Sequence, residues 1–314
     1  MNNDKDKTEE LLSKIKIFNE TAWDYKVSVN KINLWLENFA AEERESLLFL
    51  LTQFIFFSKF QVNNMLKSIY RDFIEYSIVE NFRINNSNTL DKDSIEKNLE
   101  ETLNKTRFVP IGNPSESSAS LMYDFRTINK LKTSLFIEQG VADSTTDTIE
   151  NFIFIDDICG SGNQVRKYAG SIVTRIKSRF PSAKIHYYTL VANQKGIDYI
   201  SGLKWFSSID SVIRLDDSYK CFESNSRFFK NHHDIDVNSL KTVCEKQGYK
   251  LMASILEKQG IDEKNAIHCQ LGYDNNQLLL GFDHNTPDNT LPIIWYDEDM
   301  VHWSPIFPRK HKIY

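Results

Sequence analysis

The chain has 314 residues and a formal net charge of −5 at pH 7, so it can bury a large core, and this charge disfavours a general nucleic-acid-binding surface. Its longest apolar run, residues 47–57, is too short to cross a membrane, and the polar stretch 1–7 lacks a signal-peptide apolar region. The four cysteines are far apart and form no C-x-x-C pair, which predicts reduced thiols in a cytoplasmic protein without a membrane segment.

Apolar residues recur at helical spacing from about residue 8 to residue 81, which predicts a set of short helices. The apolar positions fall at 34–39, 47–57 and 65–74, with a polar loop at 85–93 and a short helix at 94–103. We therefore expect an N-terminal helical domain over residues 1–105, either a winged-helix-like fold or a simple bundle. Its third helix is more acidic and aromatic than basic, which disfavours DNA binding.

From residue 107 onward the pattern alternates between strand and helix. The predicted strands are 107–110, 134–138, 152–155, 184–192 and 211–215, and the predicted helices are 119–131, 165–180 and 197–203. This alternation predicts an α/β domain over residues 106–314, with a doubly wound, mostly parallel sheet, right-handed crossovers and a C-terminal cap. Ligands of such sheets lie beyond the carboxyl ends of the strands.

The most informative segment runs from Phe152 to Gln164. Large apolar residues predict a buried strand, Asp156 and Asp157 stand at its end, and a small-residue turn leads into the next helix. The turn consists of Gly160, Ser161, Gly162, Asn163 and Gln164. Free backbone N–H groups and the helix dipole make such a turn an anion site, while the carboxylates can accept hydrogen bonds from the vicinal hydroxyls of a ribose. The segment predicts a pocket for a ribose 5-phosphate, and the alternative is a solvated strand end followed by a helix N-cap.

This segment resembles the signature of the type I phosphoribosyltransferases, in which four hydrophobic residues precede two acidic residues and a short loop of Thr, Ser and Gly. The resemblance implies that Asp156 and Asp157 are the catalytic pair that holds the 2- and 3-hydroxyls of 5-phosphoribosyl 1-diphosphate (PRPP). It also implies that the loop Gly160–Gln164 binds the 5-phosphate. The loop departs from the common pattern, because Gly160 and Gln164 stand where threonines are usual, although backbone donors survive both changes.

In that family a loop after the first strand grips the diphosphate of PRPP. The corresponding stretch has small residues at a helix start, which assigns this role to Gly112, Asn113 and Ser115. The alternative is a plain Pro/Ser turn with Ser117 or Ser118 as the N-cap. The family also has a flexible lid between its second and third strands, which corresponds to the polar stretch 141–148.

A second resemblance lies at residues 278–295, where an apolar strand runs into His-Asn-Thr-Pro-Asp-Asn-Thr and then into Leu-Pro-Ile-Ile-Trp. Together with the Trp35-Leu36-x-x-Phe39 motif, this stretch is similar to a phosphoribosyltransferase-like family of bacterial conflict systems that includes retron-type anti-phage modules. The resemblance implies that Asn285, Asn289 and Trp295 form a base pocket, because carboxamides and an indole can read and stack on a base. The alternative is an Asx/Pro turn ahead of a strand, with Trp295 in the core.

The resemblance implies a glycosyltransferase, or a nucleotide-cleaving variant, that acts at the anomeric carbon of a phosphoribosyl compound as a toxin effector in antiviral defence. Mg²⁺ is the expected cofactor, held by diphosphate and ribose oxygens rather than by direct protein ligands. A regulatory protein or nucleoprotein complex from a neighbouring gene is the expected partner. A homodimer is a further possible assembly. The other hypotheses are a nucleotide-binding sensor without turnover and, more weakly, a regulator that binds DNA or RNA through its N-terminal helices.

Overall fold

A computed structural model of the chain describes residues 2–111, 117–137 and 148–309, apart from the side chains of residues 2–6 and 117–119. Contacts between Cα atoms divide these residues into two compact units. The discontinuous unit joins residues 2–60 to 216–309, and the sheet unit takes the described residues from 61 to 215. In this division residues 61–104 group with the sheet and residues 2–60 group with the C-terminal segment, while the domain boundary expected at residue 105 stays a prediction.

The helices of the described residues are α1 (Asn2–Thr21), α2 (Val29–Leu36), α3 (Arg44–Thr52), α4 (Lys59–Ser68), α5 (Tyr76–Asn85), α6 (Lys92–Asn104), α7 (Ser117–Ile128), α8 (Asn163–Arg179), α9 (Gln194–Gly202), α10 (Val237–Lys258) and α11 (Pro292–Trp295). A π-helical segment, Ile69–Glu75, connects α4 to α5. The strands are β1 (Ile55–Phe57), β2 (Thr106–Pro110), β3 (Asn151–Cys159), β4 (Lys184–Asn193), β5 (Ser208–Leu215) and β6 (Leu280–Phe282). The predicted α/β alternation is confirmed, although β3 runs further than the prediction.

One helix prediction is wrong in part. The apolar run 47–57 predicts a single buried helix, but α3 ends at Thr52 and residues 55–57 form β1 instead. β1 pairs in parallel with β6, with Ile55 opposite Leu280 and Phe57 opposite Phe282. Because the partner strand lies far along the chain, local periodicity cannot reveal this pairing.

Aromatic residues and one buried carbonyl hold the discontinuous unit together. The indole Nε1 of Trp35 donates to the Ile293 carbonyl at 2.8 Å, which joins α2 to α11 across most of the sequence. The rings of Phe54 and Phe307 stack with centroids 4.4 Å apart, and Trp23 meets the Phe307 ring edge-on at 5.4 Å. The first and last segments of the chain therefore share one core in this unit.

The sheet unit contains a four-stranded parallel sheet in the order β2–β3–β4–β5. Phe108 of β2 pairs with Ile153 of β3 and also bridges Phe136 in parallel. A strand residue with two pairing partners has them on opposite sides, so Phe136 lies at the outer edge of β2. Over the described residues 134–137, the predicted strand 134–138 is therefore reduced to a short 3₁₀ turn, Thr133–Leu135, and one bridging residue, Phe136.

Helices cover both faces of this sheet. The apolar stripe of α8 packs with one face in a cluster that includes Val109, Phe152 and Phe154. Phe108, which points away from Val109 on the same strand, contacts the ring of Phe125 in α7 at 5.2 Å. Burying each larger aliphatic side chain of the α8 stripe contributes about 1.5–3 kcal/mol. Packing on both faces therefore fixes the position of the connection between β3 and α8 relative to the sheet.

The described ranges include no helix that is both long and apolar enough to span a lipid bilayer.

His186 on β4 provides a test of the packing at the amino ends of the strands. Its Nδ1 lies 2.7 Å from Ser208 Oγ, and burial, together with the charge of Lys184, lowers the pKa of His186 to about 4. The unfolded chain takes up this proton near pH 6.5, well before the native state does, so stability falls as the pH drops from 6.5 towards 4.

We expect the wild type to lose about 2 kcal/mol more unfolding free energy between pH 7 and pH 5 than the His186→Gln variant. Urea unfolding at both pH values measures this difference. Equal losses in the two proteins would contradict a neutral, half-buried His186.

Candidate functional site

The predicted anion loop lies between β3 and α8 in the sheet unit. Gly162 is the N-cap of α8 and has φ +80° and ψ −5°, a left-handed conformation that suits glycine. A Cβ atom at Gly162 would lie 2.8 Å from both Tyr199 Cδ1 and Ile200 Cγ2 of α9. Gly196 of α9 approaches equally closely, because its added Cβ would stand 2.3 Å from the Gly160 carbonyl oxygen. The inner side of the loop is therefore packed against α9, and only glycine fits there.

Polar residues form the outer side of the same loop. Ser161 and Asn163 are half-buried and Gln164 is exposed. The Asn163 N–H lies 3.4 Å from Ser161 Oγ, while the first intrahelical bond runs from Arg166 N to Gly162 O at 3.0 Å. Helix geometry thus leaves the N–H groups of the first turn without acceptors four residues back, and the helix dipole adds positive potential.

Two exposed cations follow at the start of α8. Arg166 and Lys167 are one turn from the loop, and the Lys167 ammonium stands 5.1 Å from the centroid of the Tyr168 ring. Both charges raise the local potential for an anion at the N-terminus of α8.

Asp156 lies inside β3 rather than after its end. The sequence places both carboxylates at the end of the strand, but β3 continues to Cys159, and Asp156 pairs with Thr189 of β4. The cause is tertiary, because β4 extends the ladder past the four apolar residues that mark the strand in the sequence. Asp156 is 3% exposed and Asp157 is half-buried, so the two carboxylates have different environments.

The buried carboxylate of Asp156 is hydrogen-bonded at both oxygens. The hydroxyl of Tyr187 on β4 donates to Asp156 Oδ2 at 3.0 Å, and the backbone N–H of Asp157 donates to Oδ1 at 3.0 Å. Asp156 therefore holds the backbone of its neighbour, and Asp157 is the more accessible carboxylate at this edge of the sheet.

Tyr187 also contacts Cys159, and the backbone N–H of Gly162 donates to the Cys159 thiol. Burial raises the pKa of Cys159 to about 12, with a further rise from the charge of Asp156. Burial, followed by the charge of Asp156, raises the pKa of Tyr187 well above its usual value. Both groups are thus protonated at neutral pH, and the Gly162 N–H points inward.

Sequence reasoning missed Tyr187 as part of this site. Its position inside the predicted strand 184–192 gives one signal, because a buried tyrosine hydroxyl needs a hydrogen-bond partner. The sequence alone could not identify that partner as Asp156, since the choice depends on the register between β3 and β4.

The remaining predicted site residues are divided between two groups. Gly112, Asn113 and Ser115 of the predicted diphosphate loop lie outside the described residues, as do residues 141–147 of the predicted lid.

The predicted base-pocket residues belong to the discontinuous unit. Trp295 is 4% exposed, and its Nε1 donates to the Thr290 carbonyl at 2.8 Å. Asn289 is buried, whereas Asn285 is half-buried and exchanges backbone hydrogen bonds with Phe282 at a tight turn. The base pocket stays a prediction, and the burial of Trp295 favours the alternative of a turn with an indole in the core.

Two other features bear on ligands. Among the described residues, no three His, Cys, Asp or Glu side chains come together in a set that could hold a metal ion. A polar cavity in the discontinuous unit, lined in part by Lys241, Glu245 and Gln277, includes none of the predicted site residues.

Gly162 gives a direct test of the loop geometry. We expect Gly162→Ala to lower the unfolding free energy by about 2–5 kcal/mol, because an L residue in this conformation costs about 1–2 kcal/mol and overpacking adds about 1–3 kcal/mol. Gly202→Ala, at the end of α9, is the matched control, since its Cβ would meet nothing within 4 Å. Chemical denaturation measures both changes, and equal stabilities of the two variants would contradict the packed inner side of the loop.

Comparison with known proteins places this site in a family context. No curated protein matches the chain significantly. The model of the PRTase-CE family matches residues 32–309, which is most of the chain and includes the Trp35 motif, the β3–α8 segment and the C-terminal signature. The chain therefore belongs to the PRTase-CE family, a phosphoribosyltransferase-like family.

Proposed function

We propose that the sheet unit binds PRPP, or a related phosphoribosyl nucleotide, and that the protein acts at the anomeric carbon of the ribose. One observation carries this proposal. A half-buried carboxylate, Asp157, lies only a few residues before a loop with polar side chains, and this loop leads directly into the N-terminus of α8. Membership of a phosphoribosyltransferase-like family supports it.

The 5-phosphate would bind on the outer side of the loop. Ser161 would supply its hydroxyl hydrogen, since its oxygen accepts the Asn163 N–H at 3.4 Å, and Gln164 would supply a backbone N–H at the first turn of α8. An anion at such a helix end gains about 0.3–1 kcal/mol from the dipole, and charge-assisted hydrogen bonds add more. Because the Gly162 N–H points to Cys159, the role of Gly162 in this proposal is to shape the loop.

The ribose would be oriented mainly by Asp157. A carboxylate can accept hydrogen bonds from both vicinal hydroxyls, and a hydrogen bond to a charged group is worth about 1.5–3 kcal/mol. Asp156, with both oxygens engaged by Tyr187 and the Asp157 N–H, would act through its neighbour.

The topology supports a doubly wound, type I arrangement. With Phe136 at the outer edge of β2, the chain order reverses between β2 and β3. Helices on both faces agree with such a reversal, which is the switch point where open α/β sheets bind ligands. The anion loop, which follows β3, would flank this crevice.

Mg²⁺ fits the donor set as an ion held chiefly by the substrate. This ion prefers few carboxylates together with phosphate oxygens and water, and Asp157 is the described carboxylate best placed to contribute. When bound with the diphosphate, Mg²⁺ would neutralise charge on the leaving group.

The chain's own residues would have simple roles in the reaction. The C1–O bond to the diphosphate breaks, the sugar takes on oxocarbenium character, and the acceptor forms the new bond at C1. Asp157 would orient the sugar and place negative potential near the developing cation, while the loop would keep the 5-phosphate fixed. Because Gly160 and Gln164 stand where the common signature has threonines, two hydroxyl donors to that phosphate would be missing.

A second candidate is a nucleotide-binding sensor without turnover. The engagement of both Asp156 oxygens by the protein favours it, because the catalytic pair that the resemblance implies then has one carboxylate committed to the fold. The cytoplasmic location, the anti-phage role and the partner from a neighbouring gene stay predictions from the sequence resemblance.

Titration of the purified protein with PRPP and Mg²⁺ tests the proposal. We expect Asp157→Asn to weaken binding on the order of ten- to a hundredfold, the equivalent of about 1.5–3 kcal/mol. Asp210→Asn on β5 is the matched control, because Asp210 Oδ1 likewise accepts a neighbouring backbone N–H, that of Ser211 at 3.1 Å. The control should bind as the wild type does.

Absence of binding to the wild type, or equal binding by Asp157→Asn, would contradict the proposal. Phosphorus NMR of the same mixtures distinguishes the two candidates, because release of pyrophosphate indicates an enzyme, whereas binding without release indicates a sensor.

A further inference from the structure

The acidic pair and the anion loop are connected through the neighbouring strand. Tyr187 of β4 donates to Asp156 Oδ2 at 3.0 Å and also contacts the thiol of Cys159. The thiol in turn accepts the backbone N–H of Gly162, the residue that caps α8. At the other end, Asp156 Oδ1 accepts the Asp157 N–H at 3.0 Å. One hydrogen-bonded chain thus runs from the backbone of Asp157 to the backbone of Gly162.

The protons of this chain can be assigned from donor capacity. A carboxylate only accepts, so the single hydroxyl hydrogen of Tyr187 goes to Asp156. The tyrosine oxygen is then left to accept the hydrogen of the Cys159 thiol, and the sulfur accepts the Gly162 N–H. Along these contacts, the donor direction therefore runs from the Gly162 N–H through Cys159 and Tyr187 to Asp156.

Burial keeps that arrangement fixed. Tyr187 and Cys159 are almost fully buried, and Asp156 is 3% exposed, which limits competition from water. Removing one member would leave a buried polar group without its partner, which costs more than the bond contributes.

We propose that Tyr187 is a positioning residue that sets the geometry of both halves of the phosphoribosyl site. Through Asp156 it fixes the backbone that carries the Asp157 carboxylate, and through Cys159 it fixes the Gly162 amide at the start of α8. Tyr187 does not touch the substrate. This inference rests on the proposed function, because its effect on binding requires that this edge of the sheet is the ligand site.

Tyr187→Phe tests the inference, and the next residue provides the control. Tyr188 is also buried on β4, but its hydroxyl lies 2.9 Å from Ser208 Oγ, and its ring contacts Phe73. Adjacent strand residues point to opposite faces, so Tyr188→Phe removes a buried hydroxyl from the other side of the same strand. The two variants therefore share the cost of a lost hydroxyl but differ in their connection to Asp156.

We expect Tyr187→Phe to weaken binding of PRPP with Mg²⁺ on the order of tenfold and Tyr188→Phe to leave it within about twofold. Amide hydrogen exchange gives a readout that a general loss of stability would not produce. In Tyr187→Phe the N–H groups of Asp157 and Gly162 should exchange faster than in Tyr188→Phe, relative to the other amides of β3 and α8.

Three outcomes separate the two claims. If the wild type binds and both variants bind alike, the positioning role is overturned. If the wild type binds no PRPP, the proposed function fails. Amide hydrogen exchange at Asp157 and Gly162 then still tests whether Tyr187 connects these two residues. If exchange at those amides is equal in the two variants, the connection itself is overturned.

Discussion

A carboxylate that must be satisfied inside a parallel sheet controls the organisation of the candidate site. Burying an ionised carboxylate costs several kcal/mol unless hydrogen bonds or charges compensate it. In this protein the hydroxyl of Tyr187 and the N–H of Asp157 reach the two oxygens of Asp156. This requirement ties the conformation of β3 to β4 at the point where the strand passes into the loop, and it separates the two aspartates into a buried and an accessible one.

The loop likewise has a buried side, which packs against α9, and a more accessible side with polar side chains. Gly162 and Gly196 permit the loop and α9 to approach each other, since a side chain on either glycine would clash. Ser161, Asn163 and Gln164 face outward at the start of α8.

The sequence predicts the parts of this site that depend on local order. The apolar strand, the small-residue turn and the helical stripe of α8 are adjacent in the chain, so their periodicities identify them. The sequence does not predict what depends on register. The extension of β3 to Cys159, the bond from Tyr187 to Asp156 and the approach of Gly196 to Gly160 all require knowledge of how distant strands and helices pair. The same limit explains why β1 reads as part of a helix, since its partner β6 lies near the other end of the chain.

The C-terminal signature shows how a motif can serve the framework. Trp35 donates to the Ile293 carbonyl at 2.8 Å, and Trp295 donates to the Thr290 carbonyl at 2.8 Å, so two indole N–H groups satisfy backbone carbonyls within one turn of the signature. A buried carbonyl without a partner would cost about 1–3 kcal/mol, and these indoles remove that cost while filling large volumes. Trp35 therefore joins α2 to the C-terminal turn within the discontinuous unit, whereas Trp295 stabilises that turn internally. Trp295 is 4% exposed and uses its single hydrogen-bond donor on the Thr290 carbonyl, so in this fold its indole contributes to the packing of the C-terminal turn.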